Sequence, residues 1–244
     1  MAELIAVVGK PGTGKSTSIR TLDPSSTFII NVANKPLPFK GWKKKYTSFG
    51  KDKERGNYAA THDTETIGKV LAIVNAKRPE IKTIVLEDSS YLMSFEIFDR
   101  AKENSYTKHV EIAQHYTDIL RSVSKLRDDL MVIVLTHPDE ERDTFGDIKE
   151  QKMKTYGKMT DKYMSLDGLF TYIFFTKVLA LDDSDNPEYR YVFETNDPSK
   201  ISSAKTPMGC FSERFIDNDL KQVIEAIDLY NNGDEEEEET QDNE

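Results

Sequence analysis

Residues 3–22 read ELIAVVGKPGTGKSTSIRTL. The first part of this stretch, Glu3–Val8, is a short apolar run typical of a buried strand. Residues Gly9–Ser16 then match the pattern G-x-x-x-x-G-K-[ST] at every fixed position, and Ser16–Leu22 is predicted to be a helix that stops at Asp23-Pro24. A glycine-rich loop between a buried strand and a helix is the arrangement that cradles phosphate groups.

Each residue type in this loop has a chemical role. Glycines let successive backbone N–H groups point at the phosphates, and the start of the following helix adds positive potential. Lys15 is expected to reach the β- and γ-phosphates, and the Ser16 hydroxyl is expected to ligate Mg²⁺. The loop therefore predicts binding of ATP with Mg²⁺. The predicted nucleotide contacts are Gly9, Lys10, Pro11, Gly12, Thr13, Gly14, Lys15, Ser16 and Thr17.

A second buried strand, Thr83–Leu86, ends in two acidic residues, Glu87 and Asp88. A phosphate loop needs an acidic group at the end of a neighbouring strand to hold the Mg²⁺ shell. Two registers fit. In the favoured one, Asp88 associates with the metal and Glu87 is the candidate base that activates water. In the other, Glu87 holds the metal and Asp88 polarises the attacking water; a merely solvated pair of carboxylates is the alternative without function.

A third buried strand, Met131–Leu135, is followed by Thr136 and His137. Parallel sheets place ligand-facing residues at the carboxyl ends of their strands. Thr136 or His137 is therefore predicted to sense the γ-phosphate, and His137 is a catalytic candidate. A structural histidine is the alternative, and no Cys/His spacing resembles a zinc site.

The strands that begin near residues 4, 27, 83 and 131 are separated by helical segments. This order predicts an α/β fold with a mainly parallel sheet and helices on both faces. Two later strands, Leu169–Val178 and Tyr189–Glu194, are predicted to form an antiparallel hairpin, and Phe215–Tyr230 is predicted to be the last helix. Further predicted elements are the strand Thr27–Val32, a helix that starts at Asp63 and a mostly helical stretch from Tyr91 to Leu130.

Two long segments have no clear periodicity. Ala33–Ala60 contains a basic stretch with aromatic residues, and Asp139–Asp161 is predicted to be a flexible polar excursion. Long loops inside a domain are usually functional or mobile. Residues 1–231 are predicted to form one domain, followed by a disordered acidic tail over 232–244.

Charge and cysteine content favour a cytoplasmic protein. Eight of the net −10 charges lie from Asp234 to Glu244, which leaves −2 on the rest of the chain, so the body can still bind a polyanion. The single cysteine, Cys210, excludes an internal disulfide and fits a reducing compartment. No apolar run approaches the roughly 18 residues of a membrane helix, and no signal peptide is expected, so no membrane partner is predicted.

In the order of its pieces the chain resembles the RecA-like branch of P-loop ATPases. More narrowly, it resembles phage-encoded P-loop nucleotide-binding proteins, which include RecA-like recombinases implicated in single-strand annealing. The resemblance implies an ATP hydrolase with a RecA-like core, acting in the host cytoplasm. The residues that carry it are Gly9–Ser16, Asn31-Val32 with Lys35–Phe39, Asp88-Ser89, Thr136-His137 and Lys205–Gly209.

Lys205 has a specific meaning within this resemblance. Hexameric motors such as the DnaB-type helicases carry a K-x-R-x-G motif whose basic residues reach the γ-phosphate bound by the neighbouring subunit. Lys205 and Gly209 match that motif, but Pro207 stands where the family has arginine. The resemblance thus implies one cation acting in trans instead of two, with weaker ATPase activity, and an ordinary surface lysine is the alternative.

The leading functional hypothesis is a Mg²⁺-dependent ATPase that acts on single-stranded DNA in phage recombination or replication. It would assemble as a homo-oligomeric ring or filament, with a single-strand-binding protein or a helicase as further partner. The basic segment Lys35–Lys45 would follow the DNA phosphates, while Phe39, Trp42 or Tyr46 would stack on bases. Those residues equally suit a protein interface or a lid over the nucleotide. The alternatives are a nucleotide-dependent switch or helicase loader without DNA binding of its own, and a nucleotide kinase, which the nine scattered arginines disfavour.

Overall fold

The computed structural model describes residues 1–50, 55–105, 107–155, 165–181 and 188–233. The strands are β1 (Glu3–Val8), β2 (Thr27–Asn31), β3 (Tyr58–Ala60), β4 (Thr83–Glu87), β5 (Met131–Thr136), β6 (Pro138–Arg142), β7 (Ile148–Met153), β8 (Tyr172–Ala180), β9 (Tyr189–Glu194) and β10 (Phe215–Asp217). The α-helices are α1 (Trp42–Lys45), α2 (Thr64–Lys77), α3 (Tyr91–Asp99), α4 (Thr107–Ser122) and α5 (Leu220–Asn232). Three short 3-10 helices cover Ser16–Thr21, Val123–Lys125 and Leu166–Leu169.

Within these residues, eight strands form one sheet in the order β10-β9-β8-β1-β5-β4-β2-β3. The six strands from β8 to β3 in this order are parallel. Strands β9 and β10 continue the sheet in antiparallel pairing. The carboxyl ends of β1, β5 and β4 therefore lie side by side, with β5 between the strand that precedes the phosphate loop and the strand that ends in the acidic pair.

Both faces of the sheet are covered, which explains why the parallel strands are apolar throughout. In β1, Ala6 and Val8 point into one core, while Ile5 and Val7 point into the other. Helices α2, α3 and α4 pack on the first face, and α5 and the 3-10 helix Ser16–Thr21 pack on the second. Strands buried on both faces read as continuous hydrophobic runs. The predicted α/β class, with a mainly parallel sheet and helices on both faces, is confirmed.

Most predicted elements occur within two or three residues of their predicted bounds. The β8–β9 hairpin is antiparallel as expected, and Asp63 caps α2 by accepting a hydrogen bond from the Thr66 backbone N–H. Tyr91–Leu130 is mostly helical, as predicted, and contains α3 and α4.

The prediction of a flexible excursion over Asp139–Asp161 is wrong for its first part. Strands β6 and β7 form an antiparallel hairpin, and the Asp143 side chain closes its turn by accepting hydrogen bonds from the backbone N–H groups of Phe145 and Asp147. The hairpin lies on the surface as a two-stranded ribbon, so its strands lack the apolar alternation of a half-buried sheet. Residues 156–161 of the predicted excursion lie outside the described residues.

Two further predictions need correction. The predicted helix Phe215–Tyr230 begins only at Leu220, because Phe215–Asp217 pairs with β9 and the Asp219 side chain caps the helix by accepting from the N–H groups of Lys221 and Gln222. The segment Ala33–Ala60 contains the edge strand β3. This strand has three residues, too few to show a periodic pattern in the sequence. Helix α5 ends at Asn232, and the predicted tail from residue 234 onward lies outside the described residues. No helix in the described part of the chain is long and apolar enough to span a bilayer.

Candidate nucleotide-binding site

The phosphate loop starts where β1 ends and is anchored to its two neighbours in the sheet. The Gly9 N–H donates to the Thr136 carbonyl at the end of β5, with N and O 3.1 Å apart. The Thr13 hydroxyl contacts the Thr176 hydroxyl on β8. Lys15 is buried, and its Nζ donates to the Gly9 carbonyl at 2.7 Å. The loop therefore holds its lysine over its own backbone, at the carboxyl edge of the parallel strands.

Two glycines of the motif are required by close approach. A Cβ atom on Gly9 would overlap the Thr176 hydroxyl. Gly14 has φ of +97°, and a Cβ atom there would lie 3.1 Å from Asn218 Nδ2 and 3.2 Å from the Tyr191 ring. Only glycine meets both demands without strain. The loop thus keeps its shape because side chains from distant strands pack directly against it.

The helix after the loop is shorter than predicted. Ser16–Thr21 is a six-residue 3-10 helix and not the predicted helix to Leu22. A helix macrodipole is the sum of aligned peptide dipoles. A helix of this length therefore adds little positive potential at the phosphate loop. Positive charge at the loop therefore comes mainly from lysine side chains.

The acidic pair at the end of β4 divides its contacts between two partners. The Ser16 hydroxyl donates to Glu87 Oε1, while Asp88 is ion-paired through Oδ2 to Lys35. Both carboxylates are fully buried. Ser16 was predicted to share the metal with Asp88, but its contact is with Glu87. This geometry supports the second of the two registers.

Burial and neighbouring charge shift the pKa values at this point. Burial first, and the negative charge of Asp88 second, raise the pKa of Glu87 to about 7, against the Ser16 hydrogen bond and the charges of both lysines. Burial lowers the pKa of Lys15 although both carboxylates work against it. Burial would lower the pKa of Lys35, but the hydrogen bond that Lys35 donates to Asp88 and the negative charge of that carboxylate outweigh burial and raise the pKa.

His137 lies at the same edge of the sheet, as predicted. Its Nδ1 is 2.8 Å from the Ser90 hydroxyl, and its ring meets the Tyr91 ring edge to face at 5.4 Å. Burial, followed by the positive charge of Lys15, lowers the pKa of His137 to about 4. The imidazole is therefore neutral at neutral pH. Thr136 is fully buried at the end of β5 and does not line the cleft.

A cleft of about 760 Å³ opens above the phosphate loop. Of the predicted contacts, Gly9 and Thr13 form the base of the loop and do not line the cleft, whereas the other seven do. Further lining residues are Arg20, Lys35, Pro36, Pro38, Tyr91, Tyr191 and Asn218. The positions of Lys35, Pro36 and Pro38 agree with a lid over the nucleotide, one of the roles left open for Lys35–Lys45, whereas the other four were not predicted. Lys35 had a usable signal, because it follows the carboxyl end of β2, but Tyr191 and Asn218 come from about 200 residues away and had none.

Lys205 does not line this cleft. Its backbone pairs with Ile173 near the start of β8, through hydrogen bonds of 2.8 Å and 3.0 Å. Burial raises the pKa of Asp167, and the charge of Lys205 opposes this rise only in part, after hydrogen bonds from Ser203 and the Met153 backbone. Within one chain, Lys205 is therefore separate from the phosphate loop.

The aromatic residues predicted to stack on bases are mostly engaged in the core. Tyr46 is 3% exposed, and the Phe39 ring packs against it at 6.3 Å. Trp42 packs on Tyr58 with ring centroids 5.7 Å apart. The prediction of stacking is therefore wrong for Tyr46, whose ring has no accessible face.

The β6–β7 hairpin also contacts the phosphate loop. Lys10 Nζ lies 2.7 Å from Glu140 Oε1. Burial alone would raise the pKa of Glu140, but hydrogen bonds from Lys10, Gln151 and Arg142 hold it at about 2. The hairpin thus braces the outer side of the loop.

No protein-family model matches the sequence, and neither does any curated protein. Among solved structures, a KaiC-like protein from the hyperthermophilic archaeon Pyrococcus horikoshii OT3 is similar to this chain. The two are 11% identical, the match covers 78% of this chain and 77% of that one, and the TM-score is 0.44. At that TM-score nothing about this chain follows from the similarity, so its fold class rests on its own strand order and pairing. The narrower resemblance to phage recombinases stays a prediction.

Proposed function

We propose that this protein is a Mg²⁺-dependent ATPase whose active site is the cleft above the phosphate loop. The observation that carries the proposal is the contact between the Ser16 hydroxyl and the buried Glu87 carboxylate. A phosphate-loop enzyme needs a hydroxyl and a carboxylate beside its metal ion, and this contact places the two side by side. Lys15 lies next to them, where the β- and γ-phosphates of a nucleotide in this loop would be.

The residues at the strand ends fit a Mg²⁺ ion. Glu87 Oε2 is buried and, within the described part of the chain, has no hydrogen-bond partner. Mg²⁺ takes one or two protein oxygens and completes its shell with phosphate oxygens and water, so Glu87 and Ser16 would hold it. When bound with ATP, the ion would neutralise charge on the phosphates.

The remaining side chains have separate tasks. Lys15 would exchange the Gly9 carbonyl for phosphate oxygens and stabilise the charge that develops on them. Asp88, beside Glu87, would orient and deprotonate the attacking water. Neutral His137, with Nδ1 engaged by Ser90, would offer Nε2 as a single hydrogen-bonding group near the γ-phosphate.

We further propose single-stranded DNA as the partner and phage recombination or replication, in the host cytoplasm, as the setting. Support comes from α1, where Lys43, Lys44 and Lys45 are all exposed. Because Tyr46 is buried, these lysines and not base stacking would supply most of the affinity. Binding should then be independent of sequence and should weaken steeply with salt.

Assembly into a ring or filament is proposed through Lys205. Since Lys205 lies away from its own cleft, any action on a γ-phosphate would be on that of a neighbouring subunit. A cation supplied in trans contributes about 10³–10⁵ in rate in related chemistry. Mixing Lys205→Ala with Lys15→Ala subunits should therefore restore partial hydrolysis, because some interfaces combine an intact loop with an intact Lys205. A mixture that stays inactive although its subunits exchange would show that no site is shared.

The deciding experiment measures phosphate release from ATP and Mg²⁺ with and without single-stranded DNA, beside sizing with a non-hydrolysable ATP analogue. Stimulation by DNA together with assembly supports the whole proposal. Hydrolysis that needs a partner protein and ignores DNA favours the switch or helicase loader. Phosphate transfer to a nucleotide in place of water would identify a kinase.

A further inference from the structure

Lys35 brings a positive charge from outside the phosphate loop to the cleft, which Lys10, Lys15 and Arg20 also line. It lies on the segment after β2, and two prolines of that segment, Pro36 and Pro38, form part of the cleft wall. Its charge is close enough to Lys15 to help lower the pKa of that lysine. The phosphate-loop motif supplies Lys15, and the fold brings Lys35 to the same cleft from a segment outside the motif.

The backbone of Lys35 is fixed, but its ammonium group is not enclosed. Asn31 Nδ2 donates to the Lys35 carbonyl at 2.8 Å, and Asn31 itself pairs with Glu87 in the β2–β4 register. The Lys35 side chain is nevertheless 46% exposed. A flexible four-carbon stem on an anchored backbone allows the ammonium group to change partners without movement of the loop.

Asp88, the ion-pair partner of Lys35, differs from it in exposure. Its carboxylate is fully buried, and Oδ1 has no hydrogen-bond partner among the residues that the structure describes. Its backbone has φ of +58°, a conformation that few residues other than glycine adopt and that concentrates at functional sites. In this arrangement Lys35 is ion-paired with Asp88, and the carboxylate has no surface exposed to water.

We propose that Lys35 is a sensor of the terminal phosphate that keeps Asp88 blocked until a nucleoside triphosphate binds. This inference rests on the proposed ATPase function and adds the control of its water-activating step. A γ-phosphate carries more negative charge than one carboxylate, so it draws Lys35 away from Asp88. ADP has no γ-phosphate and leaves the Lys35–Asp88 pair closed.

The released carboxylate then takes part in hydrolysis. A water oxygen bonds to the γ-phosphorus while Asp88 accepts the proton, and the bond between that phosphorus and the β,γ-bridging oxygen breaks. ADP leaves with the bond's electron pair, and the proton passes from Asp88 to the products ADP and inorganic phosphate. Lys35 stays on the γ-phosphate oxygens and stabilises their charge, which makes it a catalytic residue supplied by the same chain.

The binding test compares the dissociation constants of ADP and the β,γ-imido analogue of ATP by calorimetry with Mg²⁺. Lys35→Met should lower the preference for the analogue by about tenfold or more, the size of a charge-assisted contact, and leave ADP affinity nearly unchanged. Lys35→Arg should keep most of the preference. The matched control is Lys82→Met, because Lys82 is a similarly exposed lysine, ion-paired with Asp129 at the opposite end of the sheet.

Asp88→Asn tests the other half of the pair. It frees Lys35, so the affinity for the imido analogue should rise, while hydrolysis falls by about 10²-fold or more because the proton acceptor is lost. The double variant Lys35→Met/Asp88→Asn leaves no buried unpaired charge, and unchanged ADP binding verifies that it folds. Its preference for the analogue should match that of Lys35→Met.

A Lys35→Met protein with wild-type preference for the analogue and wild-type turnover would overturn the sensor. Loss of both properties in Lys15→Ala would show, in the same experiment, that the ATPase proposal stands. If the wild type neither binds nor hydrolyses ATP, the ATPase proposal itself fails, and the sensor fails with it.

Discussion

Two segments leave the carboxyl edge of the sheet and return to the phosphate loop, and they do so at different depths. The segment after β2 brings Lys35 to Asp88, which is fully buried. The β6–β7 hairpin brings Glu140 to Lys10, nearer the rim; the two lysines are about equally exposed, and the Glu140 side chain is 15% exposed whereas that of Asp88 is 0% exposed. Each segment thus adds one charge of opposite sign to a charge already at the site. The inner pair, Lys35 with Asp88, contains a carboxylate proposed to act in hydrolysis. The outer pair, Lys10 with Glu140, only supports the conformation of the loop.

Neutralising an inner acid should have a far larger effect than neutralising the rim acid. Glu87→Gln is expected to reduce ATP hydrolysis by about 10²–10³-fold and to shift the Mg²⁺ dependence to higher concentration, because it removes the buried carboxylate beside Ser16. Glu140→Gln should reduce turnover by no more than about fivefold. Phosphate release measured over a Mg²⁺ titration separates the two.

Two results would change this assignment. Equal losses in both variants would place the hairpin acid in the reaction. If Asp88→Asn, and not Glu87→Gln, abolishes Mg²⁺ dependence, then Asp88 is the metal-associated acid, as the favoured register predicted.

The burial of Asp88 should also affect the free energy of unfolding. Lys35→Met leaves the Asp88 carboxylate buried without its cation and should destabilise the fold by about 2 kcal/mol, less than for a fully buried pair because Lys35 is partly exposed. Asp88→Asn removes the buried charge and should cost less than about 1 kcal/mol, since asparagine tolerates the left-handed backbone. Urea unfolding curves give both values, and the reverse order would contradict the buried position of Asp88.

His137 provides a pH test of the inner region. Its pKa of about 4 lies below the ordinary 6.5, so between these values the unfolded chain binds a proton that the folded chain excludes. The contribution of His137 to stability should therefore be lost as the pH falls from 6.5 to about 4, whereas Glu87, whose pKa is raised to about 7, contributes in the opposite direction. His137→Asn should remove about 1 kcal/mol of this loss, a figure reduced for the ring's partial exposure. Unfolding curves at several pH values measure it. An identical slope in the variant would show that His137 titrates normally.

The rim pair should give the smallest effect. A double-mutant cycle of Lys10→Ala and Glu140→Ala is expected to yield a coupling of about 0.5–1 kcal/mol that shrinks in high salt. The measurement is again the free energy of unfolding. A salt-independent coupling above about 2 kcal/mol would mean that the hairpin contact is part of the inner site.

The two segments also differ in how far the sequence could predict them. Gly9–Ser16, Glu87, Asp88 and His137 were found because each follows an apolar run, and parallel strands bring their carboxyl ends to one edge. Lys35 lies three residues beyond such a run, Thr27–Val32, but its position among other lysines suited DNA, a protein interface or a lid over the nucleotide equally. The β6–β7 hairpin has polar residues on both strands, so no periodicity marked it. Pairings such as Lys10 with Glu140 depend on how loops fold back, which neither motif nor pattern specifies.

Binding and hydrolysis of ATP at the phosphate loop should depend on Lys15 more than on any other residue of the cleft. The measurement is phosphate release from ATP and Mg²⁺ by the wild type, by Lys15→Ala and by Lys82→Ala as a control far from the cleft. We expect the wild type and the control to hydrolyse ATP equally, and Lys15→Ala to lose about 10²-fold or more with an unchanged circular dichroism spectrum. Wild-type turnover in Lys15→Ala would contradict the account.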